Sequence, residues 1–133
     1  MKKIKLGNTG LSVSPVGFGV LTVGATQLNM PVEQGAGLIK YALSKGINFF
    51  DTAQYYETYP YLRMGLENTD ISRSNPDRPV ICSKCLGSTY NDMEYAINEA
   101  LREQVRRKLW LVLRAYRLSF SMLRLRSEWK PTR

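Results

Sequence analysis

Two cysteines, Cys82 and Cys85, are the first residues whose type and spacing could do chemistry. A C-x2-C pair can supply half of a zinc site or a redox couple. A tetrahedral zinc site needs about four nitrogen or sulfur ligands, and the sequence holds no histidine and no other cysteine. The run Pro79-Val80-Ile81-Cys82-Ser83-Lys84 also reads as a strand, whose alternation sends residues 82 and 85 to opposite faces. Both are therefore expected to be buried bystanders, reduced as in the cytosol, and no metal site is expected.

The elements that would have to position any chemistry follow from the apolar pattern. Ile4, Leu6, Leu11 and Val13 alternate with polar residues on either side of Gly7-Asn8-Thr9-Gly10, a β-hairpin signal. Val16-Gly17-Phe18-Gly19-Val20 reads as a short strand. Ala36, Ile39 and Leu43 then repeat at helical spacing between Pro31 and Lys45, with Gly46 where a left-handed cap would fall. Ile47-Asn48-Phe49-Phe50-Asp51 is a buried type of strand, and Tyr59 to Leu66 a short helix. Asp70 to Pro79 is a polar loop, and Val80 to Lys84 the third strand. Met93, Ala96, Ile97, Ala100 and Leu101 form one helical stripe, with Asn91 or Asp92 expected as its cap. A hairpin followed by three βα units predicts an α/β fold with a parallel sheet.

On this frame lies a more specific pattern. The stretch Gly46-Ile47-Asn48-Phe49-Phe50-Asp51-Thr52-Ala53-Gln54-Tyr55-Tyr56 resembles the signature of the aldo/keto reductase family. Leu6-Gly7-Asn8-Thr9-Gly10-Leu11-Ser12-Val13-Ser14 is similar to the family's N-terminal hairpin, and Phe18 to Gly24 to its first barrel strand and loop. Lys84 ends the third strand, where the family keeps a lysine. The resemblance covers about residues 3–103. It implies a TIM (β/α)8 barrel and carbonyl reduction by hydride from NADP(H) or NAD(H), on a small carbonyl substrate. It assigns Asp51, Tyr56 and Lys84 to the first three positions of a catalytic Asp, Tyr, Lys, His tetrad, with Val20, Leu21 and Asp51 beside the cofactor. Tyrosine's ordinary pKa near ~10 opposes proton transfer at neutral pH. A neighbouring ammonium such as Lys84 would stabilise the phenolate left behind, Asp51 would orient the lysine, and Tyr56 would protonate the carbonyl oxygen. Strand ends and the loops after them are where such barrels keep their active sites.

The sequence also departs from the pattern. The family's fourth residue is a histidine ending the next strand, and none is present. A full barrel takes about 250 residues and eight strands, against three strands expected here. The first 103 residues are thus expected to be the N-terminal part of an incomplete, truncated barrel, inactive alone.

Charge divides the chain in the same place. Residues 1–103 carry ten basic and ten acidic residues, which cancel, whereas residues 104–133 carry nine basic residues against Glu128 alone. The whole net charge of +8 lies in that divergent tail. It reads either as a segment without function or as a basic binding segment. In the second case Leu109, Val112, Leu113, Tyr116, Phe120 and Leu123 would form the apolar side of a helix with arginines opposite, suited to nucleic acid or an anionic membrane. Arg124-Leu125-Arg126 alternates like a strand instead. No apolar run is long enough to span a bilayer, and Lys2 and Lys3 are followed by no signal-peptide core. A cytoplasmic protein is expected.

Overall fold

The computed structural model describes residues 1–72, 74–85, 89–103, 110–115 and 123–125. The chain opens with a small antiparallel hairpin, β1 (Ile4–Lys5) and β2 (Ser12–Val13), in which Ile4 faces Val13. Its turn needs left-handed backbone at both ends, and glycine supplies it at Gly7 and Gly10. Strand β3 (Phe18–Gly19), helix α1 (Val32–Ser44), strand β4 (Phe49–Asp51), helix α2 (Tyr59–Gly65), strand β5 (Val80–Cys85) and helix α3 (Tyr90–Glu103) then alternate as expected. Gly46, with φ +83°, ends the turn after α1.

Two findings differ from the sequence reading. The parallel sheet has a fourth strand, β6 (Trp110–Ala115), in register with all six residues of β5, and an antiparallel fifth, β7 (Leu123–Leu125), on its far edge. The helix considered for the tail is therefore absent at 110–115. The apolar run there pairs with the free edge of β5 instead. The basic stretch at 104–109 and the aromatic positions 116 and 120 lie outside the described residues. The cap of α3 also sits earlier than Asn91. Thr89 Oγ1 accepts from the Asp92 N–H at 3.2 Å while Asp92 Oδ2 accepts from the Thr89 N–H at 3.0 Å, a reciprocal capping box.

Alternation along the strands gives the sheet two unlike faces. Phe50 and Ile81 are buried against Ile39 and Ala42 of α1, Leu62 of α2, and Ile97 and Ala100 of α3. Gly65 lets α1 and α2 close up, because a Cβ there would meet the Ile39 Cβ at 2.7 Å. On the opposite face Phe49, Val80 and Cys82 meet Leu6, Leu11 and Val13, so the hairpin seals one end of that face with apolar side chains. Buried Asn48 fastens the seal. Its Oδ1 accepts from the Ser14 N–H at 2.7 Å, and its Nδ2 donates to the carbonyls of Ser12 and Arg78 at 3.1 and 3.0 Å. Cys82 and Cys85 lie on opposite faces and are not joined in a disulfide, Cys85 being buried beside α3. Among the described residues, no helix is long and apolar enough to cross a membrane.

Candidate active site

Beyond the hairpin-covered floor, the same sheet face carries polar residues at the C-terminal strand ends. The inward positions of β4 run from Phe49 to Asp51, and those of β5 from Val80 through Cys82 to Lys84. The parallel register sets Asp51 beside Cys82, one inward position short of Lys84. The Lys84 ammonium donates to Asp51 Oδ1 at 2.5 Å and to the Thr52 carbonyl at 2.7 Å. Lys84 is 13% exposed and Asp51 46%. The ammonium is thus held from beneath while the carboxylate keeps a side open to a ligand.

Tyr56 reaches this pair from the loop after β4. Thr52 extends the strand pairing through its N–H to the Cys82 carbonyl at 2.8 Å, and a 3-10 turn over Gln54–Tyr56 follows. Glu57 closes the turn in the left-handed region at φ +54°, an unfavourable conformation for a residue with a Cβ. Two further contacts anchor the loop. The Thr52 and Thr58 hydroxyls share a buried hydrogen bond of 2.6 Å, and Gln54 Nε2 donates to the Glu99 carboxylate on α3. The Lys84 ammonium stands 5.0 Å from the centre of the half-buried Tyr56 ring, within cation–π range. The neighbouring Tyr55 is 67% exposed, so the two adjacent tyrosines have unlike surroundings.

The structure therefore brings Asp51, Lys84 and Tyr56 together. Val20 and Leu21 follow directly on β3. The Val20 N–H donates to the Asp51 carbonyl at 2.9 Å, but the Val20 side chain is wholly buried in the core. Leu21 is half-exposed and starts a 3-10 turn. A lysine held by carboxylate and carbonyl beside a tyrosine is an arrangement that can stabilise a phenolate and so move a proton to or from a ligand. Sequence reasoning missed Gln54, Thr58 and Glu99, which fix the tyrosine loop. Gln54 and Glu99 are 45 positions apart, and nothing local marks the pair.

Nearby, Tyr59 of α2 and Ser83 share a hydrogen bond of 2.9 Å in the helix-side core. Burial pushes the Tyr59 phenol above its ordinary range, against the lowering effect of the Ser83 bond, with Glu99 and Cys85 adding to the rise. Tyr59 is thus held neutral as part of the packing.

The sequence model of the aldo/keto reductase family matches residues 15–113, which runs past the compositional boundary at 103 into β6. The chain belongs to the aldo/keto reductase family. It is 36% identical over 91 residues to L-galactose dehydrogenase of Arabidopsis thaliana, a match covering 64% of this chain and 28% of that protein. The solved holo form of an aldo-keto reductase from Bacillus halodurans superposes with a TM-score of 0.63 at 20% identity, covering 85% of this chain and 40% of that one. A Bombyx mori aldo-keto reductase in complex with NADP gives 0.58 at 18% identity, covering 77% and 34%. The likeness to these two structures is one of fold. The chain spans less than half the length of each of these relatives.

Proposed function

We propose that Asp51, Tyr56 and Lys84 are the proton-transfer half of an NAD(P)H-linked carbonyl reductase site acting on a small carbonyl compound. One observation carries this reading: the Lys84 ammonium joins the Asp51 carboxylate, the Thr52 carbonyl and the Tyr56 ring in a single cluster. Tyr56 gives its proton to the carbonyl oxygen, and Lys84 stabilises the phenolate that remains. Asp51 orients Lys84.

The residues suit a nicotinamide dinucleotide at its ring end. The half-exposed Asp51 carboxylate can accept hydrogen bonds from a hydroxyl or carboxamide group, and half-exposed Leu21 offers an apolar wall beside it. Val20 contributes through its backbone link to Asp51. When bound, the dinucleotide supplies the hydride. The NADP complex of the Bombyx mori relative supports the choice of cofactor class.

The 133-residue chain alone is a poor catalyst on this reading. No imidazole is present to polarise the carbonyl beside Tyr56, and loss of such a donor typically costs about 10²–10³ in rate. The four parallel strands form an open sheet among the described residues. A cofactor held on an open face forfeits much of the proximity advantage of a bound hydride donor. The test is a fluorescence titration with NADPH and NADH, alongside oxidation of both with a panel of aldehydes and quinones. We expect no micromolar binding and no measurable turnover. Micromolar binding with turnover would refute the inactivity of the isolated chain.

A basic helix acting on nucleic acid or membranes is the rival class of function. The register of β6 with β5 argues against it for residues 110–115.

A further inference from the structure

We infer that Gly24 is a positioning residue of this site: its missing side chain sets how closely the turn that carries Leu21 approaches the loop that carries Tyr56. The inference rests on the reductase reading and adds a residue to it. Gly24 closes the 3-10 turn Leu21–Val23, its N–H donating to the Leu21 carbonyl at 3.1 Å. Its backbone is extended, with φ −78° and ψ 174°, a conformation open to any residue. Backbone conformation therefore does not require glycine here. Space does. A Cβ at this position would stand 2.5 Å from Thr58 Cγ2, 3.0 Å from the Tyr56 carbonyl oxygen and 3.4 Å from the Leu21 carbonyl oxygen.

The neighbours are tied in place on both sides. Thr58 is wholly buried, and its hydroxyl shares a hydrogen bond of 2.6 Å with that of Thr52. The Thr52 carbonyl in turn accepts from the Lys84 ammonium at 2.7 Å. On the other side, the Gly24 carbonyl accepts from the N–H groups of Gln27 and Asn29 at 3.1 and 2.9 Å, and Val20 donates to the Asp51 carbonyl. Gly24 thus lies where three parts of the site meet: the Leu21 turn, the Tyr56 backbone and the chain from Thr58 through Thr52 to Lys84. A carbon–carbon contact of 2.5 Å must open by roughly 1 Å to reach an ordinary separation. With both sides held, that displacement passes to Tyr56 and Lys84. A misplacement of about 1 Å in a group that must be aligned for reaction can cost about 10²-fold in rate.

The test reads position by NMR on the full 133-residue chain, with the Tyr56 ring signals assigned from Tyr56→Phe. In the unaltered chain the Lys84 ε-methylene protons should be shifted upfield by the Tyr56 ring, near which the ammonium stands. Gly24→Ala should remove most of that shift in the folded protein. Thr58→Ser deletes the nearest atom and keeps the hydroxyl bond to Thr52, so adding it to Gly24→Ala should regain most of the shift. Gly37→Ala, on the exposed side of α1 with nothing within 4 Å of its Cβ, should leave the shift unchanged. Should Gly24→Ala fail to fold, the doubly altered chain carries the test, and its folding with the shift regained supports the inference. A lowered thermal midpoint with the Lys84 shift intact would make Gly24 a packing residue only and overturn it. So would failure of Thr58→Ser to restore what Gly24→Ala removes, the case of two unfolded chains included, or an equal effect of Gly37→Ala. These outcomes leave the reductase reading standing, since none needs turnover. Absence of the shift from the unaltered chain would instead remove the Lys84–Tyr56 pair, and both readings with it.

Discussion

Replacing Asn48 by leucine should cost the protein about 3–5 kcal/mol, although no substrate or cofactor would touch the residue. Asn48 is 1% exposed, and its side chain makes three hydrogen bonds to backbone groups of β2, the stretch after it and the loop before β5. Each such bond contributes about 0.5–1.5 kcal/mol net, and a buried donor left without a partner costs about 1–3 kcal/mol more. Leucine keeps the volume but orphans the Ser14 N–H and two carbonyls. Burial of its extra apolar surface offsets only part of this. The loss is a large fraction of the roughly 5–15 kcal/mol that holds a typical domain together. Urea unfolding followed by far-UV circular dichroism would give the total, and amide exchange at Leu6 and Ser14 would report whether the hairpin has loosened. Such loosening would uncover the apolar floor under Asp51 and Lys84. A loss below about 1 kcal/mol with unchanged hairpin protection would refute the view that Asn48 fastens the hairpin to the sheet.

Gly65→Ala should destabilise by about 1–3 kcal/mol, as overpacking does in a close-packed core, because its Cβ would meet Ile39; unchanged thermal unfolding would contradict it. Tyr59→Phe should remove a distinct alkaline dependence. The folded chain holds the Tyr59 proton above the ordinary phenol range near ~10, so stability present below that pH is lost as pH rises toward the raised value. The variant, measured by urea unfolding across that range, should lose less stability than the parent; parallel curves would oppose this. Duplex DNA and anionic vesicles should capture little of the chain at physiological salt, since residues 110–115 and 123–125 are engaged in the sheet. Strong capture lost on deleting residues 104–133 would restore the binding-segment reading.

Much of the frame was legible because local signals agreed with the fold. Gly7 and Gly10 mark the hairpin turn, Ile39 and its helical neighbours mark the buried side of α1, and Gly46 marks its end. Asp51, Tyr56 and Lys84 were legible through a family pattern, since nothing local ties the strand ends together. The fourth strand was not legible. A five-residue apolar run from Leu109 to Leu113, bounded by basic residues, fits a strand or a buried helical turn equally well until a neighbour is known. The edge of β5 decides it. The α3 cap was misplaced because the first residue of the apolar stripe is Met93, whereas the Thr89–Asp92 box begins a turn earlier. Contacts such as Gln54 with Glu99 depend on how α3 docks, which sequence spacing does not encode.

The central claim is that Tyr56 donates the proton to a carbonyl compound once a nicotinamide dinucleotide is held over the sheet. Its most direct test joins residues 1–115 of this chain to the remaining strands of the Arabidopsis L-galactose dehydrogenase relative. The kcat/KM for aldehyde reduction by NADPH is then compared between this fusion and its Tyr56→Phe variant. The account predicts a fall of at least about 10²-fold in kcat/KM, the lower end of what general acid catalysis contributes, with NADPH affinity unchanged. An active fusion in which Tyr56→Phe leaves kcat/KM intact would contradict it.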